Sequence, residues 1–581
     1  MRHPKFLLFI SSFYQFLSYF YLRWLPSPWF FRTNVLLAVI YFSLWLRSRS
    51  TTVPYIDKEY NNDSSVAAID TMNGSSTSVE SRQARNRKPV PPTDIDSKID
   101  FKGRYTPRPN HNQNFWRRYH SIASIINLIL FIMLLDFTFR DHFIFRNHDL
   151  AFTRVGLVSD TYARVFVRYP RFGGNHTKVR VDYRTLEAEK EWTRGPLLDI
   201  EPENDYTATG TLVGLSPLTS YEWRIVDEED NVLDMPKQIE RNCAFKTAPP
   251  AGQPTRLRFG SGSCIKLNFP YPGPFIHEGV KGFKKMGKHK MDLLIFLGDF
   301  IYADVPFFFG SSTENYRLLY RQIYGSPEYQ QIYERTPSLH VYDDHEIFNN
   351  WDSRDRDPMT SAMKAFMEYQ GLPNGDPLVS DTAYFNYSYG DIAFFFLDTR
   401  RYRSPAIEPD TPQKTMLGER QKEIFKTWAR DVNQTATFKF VISSVPLTRN
   451  WRGPDASKDT WGGYLKEREE LLEFLKDVPN LHFLSGDRHE VAVTRLPHGM
   501  IDFSTSPVNQ FYFPGVSTYK ERKSEGTDEM IYYRRVGNMK YAIFDVDTEA
   551  VPPRFWYRLY VGEEGEEPVW EYEVVGTKVL P

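Results

Sequence analysis

Between residues 256 and 490, apolar runs stop five times at residues able to bind a metal. LRFGSGSC stops at Cys264, DLLIFLGD at Asp299, and SLHVYDDHE at Asp343, Asp344 and His345. IAFFFLDTR stops at Asp398, and LHFLSGDRHE at Asp487 and His489. A strand that reads as a continuous apolar run is buried on both faces, the state of strands in a sheet covered by other layers. Helical stretches such as GVKGFKKMGK, SAMKAFMEYQG and LKEREELLEFLKDV lie among them. Residues 254–581 are therefore expected to form an α/β or α+β domain. In open α/β sheets the site lies beyond the carboxyl ends of the strands, so these runs would bring oxygen, nitrogen and sulfur donors to one rim. A single Gly-Asp after a strand is an ordinary turn. Two of them together with Asp-Asp-His-Glu ask for another explanation. Asp299, Asp344 and Asp487 crowded together would repel one another unless cations lay between them.

The first part of the chain has a different texture. Uncharged apolar runs extend from Phe6 to Leu22, from Asn34 to Leu46, and from Ile122 to Leu135 or Phe139. Each approaches the roughly 20 residues that a membrane helix needs. The expected layout is two candidate transmembrane helices in 1–46, a disordered polar loop in 47–120, and a third candidate transmembrane helix in 121–139. Core or amphipathic helices are the alternative. No small-residue cleavage site follows Leu22, which argues against a removed signal peptide. Arg2, Lys5, Arg47, Arg49, Arg85, Arg87, Lys88, Arg117 and Arg118 favour a cytoplasmic N-terminus and loop. Three crossings would then place everything after Phe139 in the lumen or outside the cell. The sequons at Asn175, Asn386 and Asn433 agree and suggest a glycoprotein, whereas those at Asn62 and Asn73 lie in the loop and do not. An inverted, cytosol-facing topology is the competing arrangement.

From 148 to 249 short alternating strands are separated by Gly, Pro, Asn and Asp, the pattern of a small β-sandwich. LVGLSPLTSYEWRIV followed by AFKTAPP resembles a fibronectin type III domain, whose expected role is a spacer or packing partner. Lys+Arg number 72 and Asp+Glu 73, so bulk cationic attraction to nucleic acid is excluded as the main activity. Only two cysteines are present, so at most one disulfide could form, between Cys243 and Cys264.

In chain order, GSGSC, LGDFIYAD, VYDDHEIFNNW, LDTRRYR and SGDRHE resemble the PhoD-type alkaline phosphatase family of calcineurin-like metallophosphoesterases. The resemblance runs from about residue 150 to the C-terminus. It implies two packed mixed sheets flanked by helices, behind the small all-β sandwich and the N-terminal membrane helices. It also implies a metal-dependent enzyme that hydrolyses phosphomonoesters, phosphodiesters or both with a metal-activated water, and Fe(III) with Ca(II) as its metals, other divalent ions being compatible. By the same resemblance Asp299 would bridge metals, Tyr302 would ligate as a phenolate and Cys264 as a thiolate rather than in a disulfide. Asp487 and His489 would be ligands, as would Asn350, with Asn349 as alternative. Asp344 and His345 stand where related phosphoesterases carry an Asn-His pair, which adds Asp344 to the metal set and puts His345 against the leaving group or the phosphate. Thiolate and phenolate donors suit Fe(III), and carboxylate and amide oxygens suit Ca(II). Arg400 is a candidate for the non-bridging phosphate oxygens, with a salt bridge to Asp398 as the alternative. Arg488 stands where the family more often has a small apolar residue. The C-terminal RFWYRLYV and VWEYEVV read as strands and not as a lid helix. The competing functional reading is a non-catalytic, membrane-anchored binding protein on a phosphatase-like fold.

Overall fold

A computed structural model describes the chain except for residues 1–3, 51–96, 100–104, 108–110, 171–177, 187–190, 236–242, 454, 513–514, 516, 522–527 and 579–581. The sequons at Asn62, Asn73 and Asn175 therefore lie outside the described residues. The chain divides into two compact units, Met1–Gln15 with Val35–Leu130, and Phe16–Asn34 with Phe131–Pro581.

Three helices open the chain: α1 (Pro4–Arg23), α2 (Pro28–Ser50) and α3 (His111–Phe143). Among the described residues, two stretches, Pro28–Ser48 and Arg118–Phe143, are long and apolar enough to cross a membrane. α1, expected as a third span, is not among them. Its Ser, Gln and Tyr residues dilute its hydropathy, and Tyr14 and Tyr21 are fully buried. The polar stretch read as a disordered loop holds a short antiparallel pair, Ser97–Ile99 with Tyr105–Pro107. α3 also starts earlier than the apolar run, because a nucleated helix extends at little cost through polar residues. Within the first unit, Asn127 accepts from Gln15 at 2.8 Å, and the hydroxyls of Tyr41 and Ser124 are 2.9 Å apart. Such side-chain bonds tie apolar helices together where burial alone discriminates poorly between partners.

In the second unit, residues 152–246 form two antiparallel sheets. One pairs Phe152–Val158, Tyr162–Arg168 and Thr207–Val213, and the other Thr193–Asp199, Lys178–Thr185, Ser220–Val226 and Cys243–Lys246. Val155, Val165, Val181, Leu212 and Trp223 are buried in their shared core. Buried arginines fasten this region to the rest of the unit. Arg154 donates to the carbonyl of Tyr369 at 2.8 Å, Arg168 to the Tyr369 hydroxyl at 3.0 Å, and Arg321 reaches Asp205 at 2.6 Å. At Gly156 the backbones touch: Leu157 N–H donates to the Pro373 carbonyl at 2.9 Å, and a Cβ on Gly156 would collide with that carbonyl. Gly156→Val is therefore expected to lower stability by about 1–3 kcal/mol, read as a lower thermal midpoint.

The remaining residues build two larger mixed sheets face to face. The first runs Ser338–Val341, Leu293–Leu297, Arg256–Gly262, Lys540–Asp547, Arg554–Val561 and Trp570–Val575. The second runs Phe385–Tyr389, Ile392–Phe396, Phe438–Ile442, Leu481–Ser485, Ile501–Ser504, Val491–Arg495 and Glu529–Arg534. An aromatic core fills the space between them, with Phe259 5.8 Å from Phe394 and 5.5 Å from Phe440, ring to ring. Helices such as Thr313–Tyr324 and Gly418–Asp431 contribute to the outer clusters. The strands that end at candidate ligands pair in parallel in both sheets. Parallel pairing gathers their carboxyl ends at one edge within each sheet, and side-chain contacts join the loops beyond the two edges.

Candidate metal centre

The strand Arg256–Gly262 is followed by Cys264, Leu293–Leu297 by Asp299, Ser338–Val341 by Asp343 and Asp344, and Leu481–Ser485 by Asp487 and His489. These turns hold unusual backbone. Cys264, Asp299, Asn350, Asp487 and His489 have φ of 62, 56, 57, 68 and 55°. A left-handed conformation costs a non-glycine residue about 1–3 kcal/mol and gathers at functional sites. Glu346 holds two of the turns at once. Its carboxylate accepts from the N–H of Asp299 at 3.0 Å, of Phe300 at 2.5 Å and of Asp343 at 2.7 Å.

Around Asp299 the donors converge. Its Oδ2 accepts from the Cys264 thiol at 3.2 Å and the Tyr302 hydroxyl at 3.0 Å, and that hydroxyl is 2.8 Å from His489 Nε2. Donor atoms of Cys264, Asp299 and His489 lie within 4.8 Å of one another, as do those of Asp299, Asp344 and His345, and of Asp299, Asp343, Asp344 and Asp487. Cys264 and Cys243 are not joined, so the alternative disulfide is not formed. Asn350 N–H donates to Asp344, and its side-chain amide donates to Asp455 at 2.6 Å. Asn349, the alternative, is exposed and donates its N–H to Asp304 at 3.1 Å.

The electrostatics are those of anions confined without balance. Burial pushes the carboxyls of Asp299 and Asp487 well up, and neighbouring carboxylates add to the effect. Burial raises Glu346 to about 8. It also raises the Cys264 thiol and the Tyr302 phenol, both next to Asp299. Burial alone would depress His345, but Asp304, Asp344 and Asp299 outweigh it and hold the imidazole well above its usual range. The Asp343 Oδ2 atom is buried and accepts no hydrogen bond. Bound cations are the ordinary means of compensating such a set, and the mixture of thiol, phenol, imidazole and carboxylates fits one softer and one harder ion.

Arg400 stands elsewhere than expected. It is completely buried and faces protein carboxylates, with Nε bonded to Asp343 and a bidentate pair to Asp459 at 2.9 and 3.0 Å. Its side chain does not form the salt bridge to Asp398, whose Oδ1 accepts from the backbone N–H groups of Arg400 and Arg401 at 3.1 and 3.0 Å and from the Tyr342 hydroxyl at 2.7 Å. Arg403 reinforces Asp459 at 2.6 Å. Burial opposes ionisation of Asp459, but these two guanidinium groups outweigh it and keep the carboxyl well below its usual range.

Asp304 and Lys540 were not singled out from sequence, and Asp343 and Arg488, noted there without an assigned role, join them at the site. Asp304 accepts from, or shares a proton with, His345 Nδ1 at 2.6 Å, while the imidazole stacks on Tyr302 with centroids 4.1 Å apart. Asp343 joins the carboxylate cluster. Arg488 reaches Asp455 at 2.9 Å and Asp487 at 3.4 Å. Lys540, lowered by burial to about 7, donates to the His489 carbonyl at 3.0 Å. The motif DDHE contained one signal, since a buried Glu next to turn-forming aspartates is a natural acceptor for their N–H groups. The partners of Arg400 and His345 come from distant segments and leave no local mark.

The family model for PhoD-like phosphatases matches residues 259–551, half of the chain. Alkaline phosphatase D of Bacillus subtilis (strain 168) is 26% identical over 333 residues, which cover 49% of this chain and 54% of the relative. The chain thus spans about half the length of the curated relative it matches. A solved structure of PhoD aligns with a TM-score of 0.57 at 18% identity, over 74% of this chain and 90% of that one. The purple acid phosphatase PPD1 from yellow lupin (Lupinus luteus) seeds aligns with a TM-score of 0.51 at 13% identity, over 73% and 74% of the two chains. At these identities the structural matches speak for the fold alone: mixed sheets in an α/β phosphatase-like arrangement.

Proposed function

The chain belongs to the PhoD-like phosphatase family, and we propose that it is a membrane-anchored, metal-dependent phosphoesterase acting on phosphomonoesters, phosphodiesters or both. The observation that carries this reading is the convergence of Cys264, Asp299 and His489 donors, with the Tyr302 hydroxyl among them, from turns that follow strands of both large sheets. Cys264, Asp299, Tyr302, Asp487 and His489 would hold iron; Asp299, Asp344, Asn350 and Asp487 would hold calcium. Bound there, the metals would supply Lewis acidity toward phosphoryl oxygens and make a water acidic enough to act as nucleophile at neutral pH.

The chain's own groups do the positioning. Asp304 occupies His345 Nδ1, which leaves Nε2 to face the substrate and give a proton to the departing alcohol. Arg488, held between Asp455 and Asp487, is the cation we assign to the non-bridging oxygens, in the role first expected of Arg400. Glu346 and Lys540 keep the ligand turns in place. His345→Asn is expected to lower kcat about 10²–10⁴-fold for an alkyl phosphodiester. The loss should be much smaller with a nitrophenyl leaving group, which departs without a proton. Equal losses on both substrates would remove His345 from the acid role.

On this reading two or three helices anchor the chain, the catalytic region faces the lumen or the exterior, the two-sheet region is a fibronectin III-like packing module, and exposed Asn386 can carry a glycan. The test is direct: full-length protein in detergent should cleave a nitrophenyl phosphomonoester or phosphodiester, and chelators should abolish the activity. A folded, metal-loaded protein inert toward both would leave the binding-protein reading, against which the complete donor set now argues.

A further inference from the structure

We propose that the scissile ester is the phosphodiester headgroup of a membrane glycerophospholipid, taken from the surface of the bilayer in which the protein is anchored; this rests on the phosphoesterase reading above. The end of α1, the start of α2 and the end of α3 all meet the phosphatase region at the same place. Tyr271 N–H donates to the Leu22 carbonyl at 3.1 Å, and the Tyr271 hydroxyl to Asp136 at 2.6 Å. Arg23 donates to Asn538 at 3.1 Å, and Trp24 lies 5.3 Å from Tyr512. Phe307 contacts Phe31 at 5.9 Å and Phe139 at 5.8 Å, and Phe309 stacks on His142 at 3.8 Å.

These segments continue the loops that carry metal-site residues or pack against those residues. Phe307–Phe309 follow Asp299, Tyr302 and Asp304 directly in the chain. Tyr512 adjoins Phe511, whose ring lies 4.5 Å from that of His489. Tyr271 lies seven residues beyond Cys264. If α2 and α3 cross the bilayer, their ends here lie at its surface, and the donors lie within a few residues of it. Exposed apolar side chains mark the same level: Trp29 is 65% exposed, Phe143 65% and Phe275 96%. Aromatic residues of this kind collect at membrane–water interfaces. The surroundings of the site are two-sided to match. Asp455 and Arg488 make one side polar. Phe308 and Phe348, 5.5 Å apart, make the other apolar, and Phe348 remains 42% exposed. A freely soluble ester has no use for an apolar side continuous with a membrane anchor, whereas an acyl glycerol does.

The reaction remains a hydrolysis. Water's oxygen forms a new bond to phosphorus, one P–O ester bond breaks, the leaving alcohol takes one proton and the phosphate product or solvent takes the other. The test uses the full-length protein reconstituted into phosphatidylcholine vesicles that also contain phosphatidylethanolamine and phosphatidylinositol. Released headgroups, diacylglycerol and phosphatidic acid are measured against hydrolysis of the deacylated glycerophosphodiesters and of soluble bis(nitrophenyl) phosphate. At least one lipid is expected to be cleaved about tenfold or more faster than its deacylated counterpart, since burying even part of an acyl chain is worth that much. Phe348→Ser, at a half-exposed position that tolerates a small residue, should lower the ratio of lipid to soluble turnover about tenfold. A deacylated ester cleaved as fast as its lipid, or a ratio unmoved by Phe348→Ser, overturns the proposal. Cleavage of the nitrophenyl diester without any lipid product overturns it while leaving the phosphoesterase reading intact. No cleavage of anything overturns both.

Discussion

Asp299→Asn is expected to lower phosphoester hydrolysis by about three orders of magnitude while leaving the fold intact or slightly more stable when no metal is bound. The carboxylate sits at the meeting point of the donors, touched by the Cys264 thiol, the Tyr302 hydroxyl and, at 3.4 Å, the His345 N–H. The amide keeps the shape and removes a charge. In the absence of metal that charge is a burden, because Asp343, Asp344 and Glu346 raise the cost of ionising Asp299 and burial raises it most. Removing it relieves repulsion, so activity and stability should move in opposite directions. The measurements are kcat/KM on a nitrophenyl diester and the thermal midpoint of chelated protein. A variant that loses activity and stability together would mean that Asp299 serves the fold and not the reaction.

Arg400→Met is expected to behave in the opposite way, with a loss of about 3–5 kcal/mol of stability read from the denaturant midpoint. Its guanidinium faces Asp343, Asp344 and Asp459, and all four residues are buried. Removing one partner of a buried ionic network leaves the others uncompensated, and that residual charge sets the size of the effect. Arg400→Lys should recover only part of it, since one ammonium cannot reproduce the bidentate pair to Asp459 and the bond to Asp343 together. Had Arg400 bound phosphate, the variant would be stable and would show a raised KM.

Much of the candidate site was readable because metal-capable residue type and strand end coincide. Cys264, Asp299, Asp344, Asp487 and His489 follow runs so apolar that only buried strands accommodate them, and parallel pairing gathers the ends of such strands. Asp398 was the wrong ion-pair partner to expect for Arg400: it is the near neighbour in sequence, whereas the carboxylates that pair with Arg400 arrive from residues 343 and 459. Asp304 and Glu346 escaped for the same reason: the groups they hold are set by how the loops fold back. The helix Gly418–Asp431 escaped differently. Its buried residues Gln421, Phe425, Trp428 and Ala429 do recur at helical spacing, but Gln421 opens that face with a polar side chain among many charged neighbours. At the N-terminus the apolar runs found the helices, but run length could not show how tyrosines and serines lower the hydropathy of α1.

The central claim is that these donors hold a mixed-metal centre. Elemental analysis of the purified full-length protein, with a visible spectrum on the same sample, tests it most directly. The account expects about one iron together with calcium, and a charge-transfer band from the Cys264 thiolate or Tyr302 phenolate. Both the iron and the band should disappear in Cys264→Ser and Asp299→Asn. A folded protein that binds neither ion after incubation with iron and calcium, or one whose metal content is the same in wild type and both variants, would contradict it.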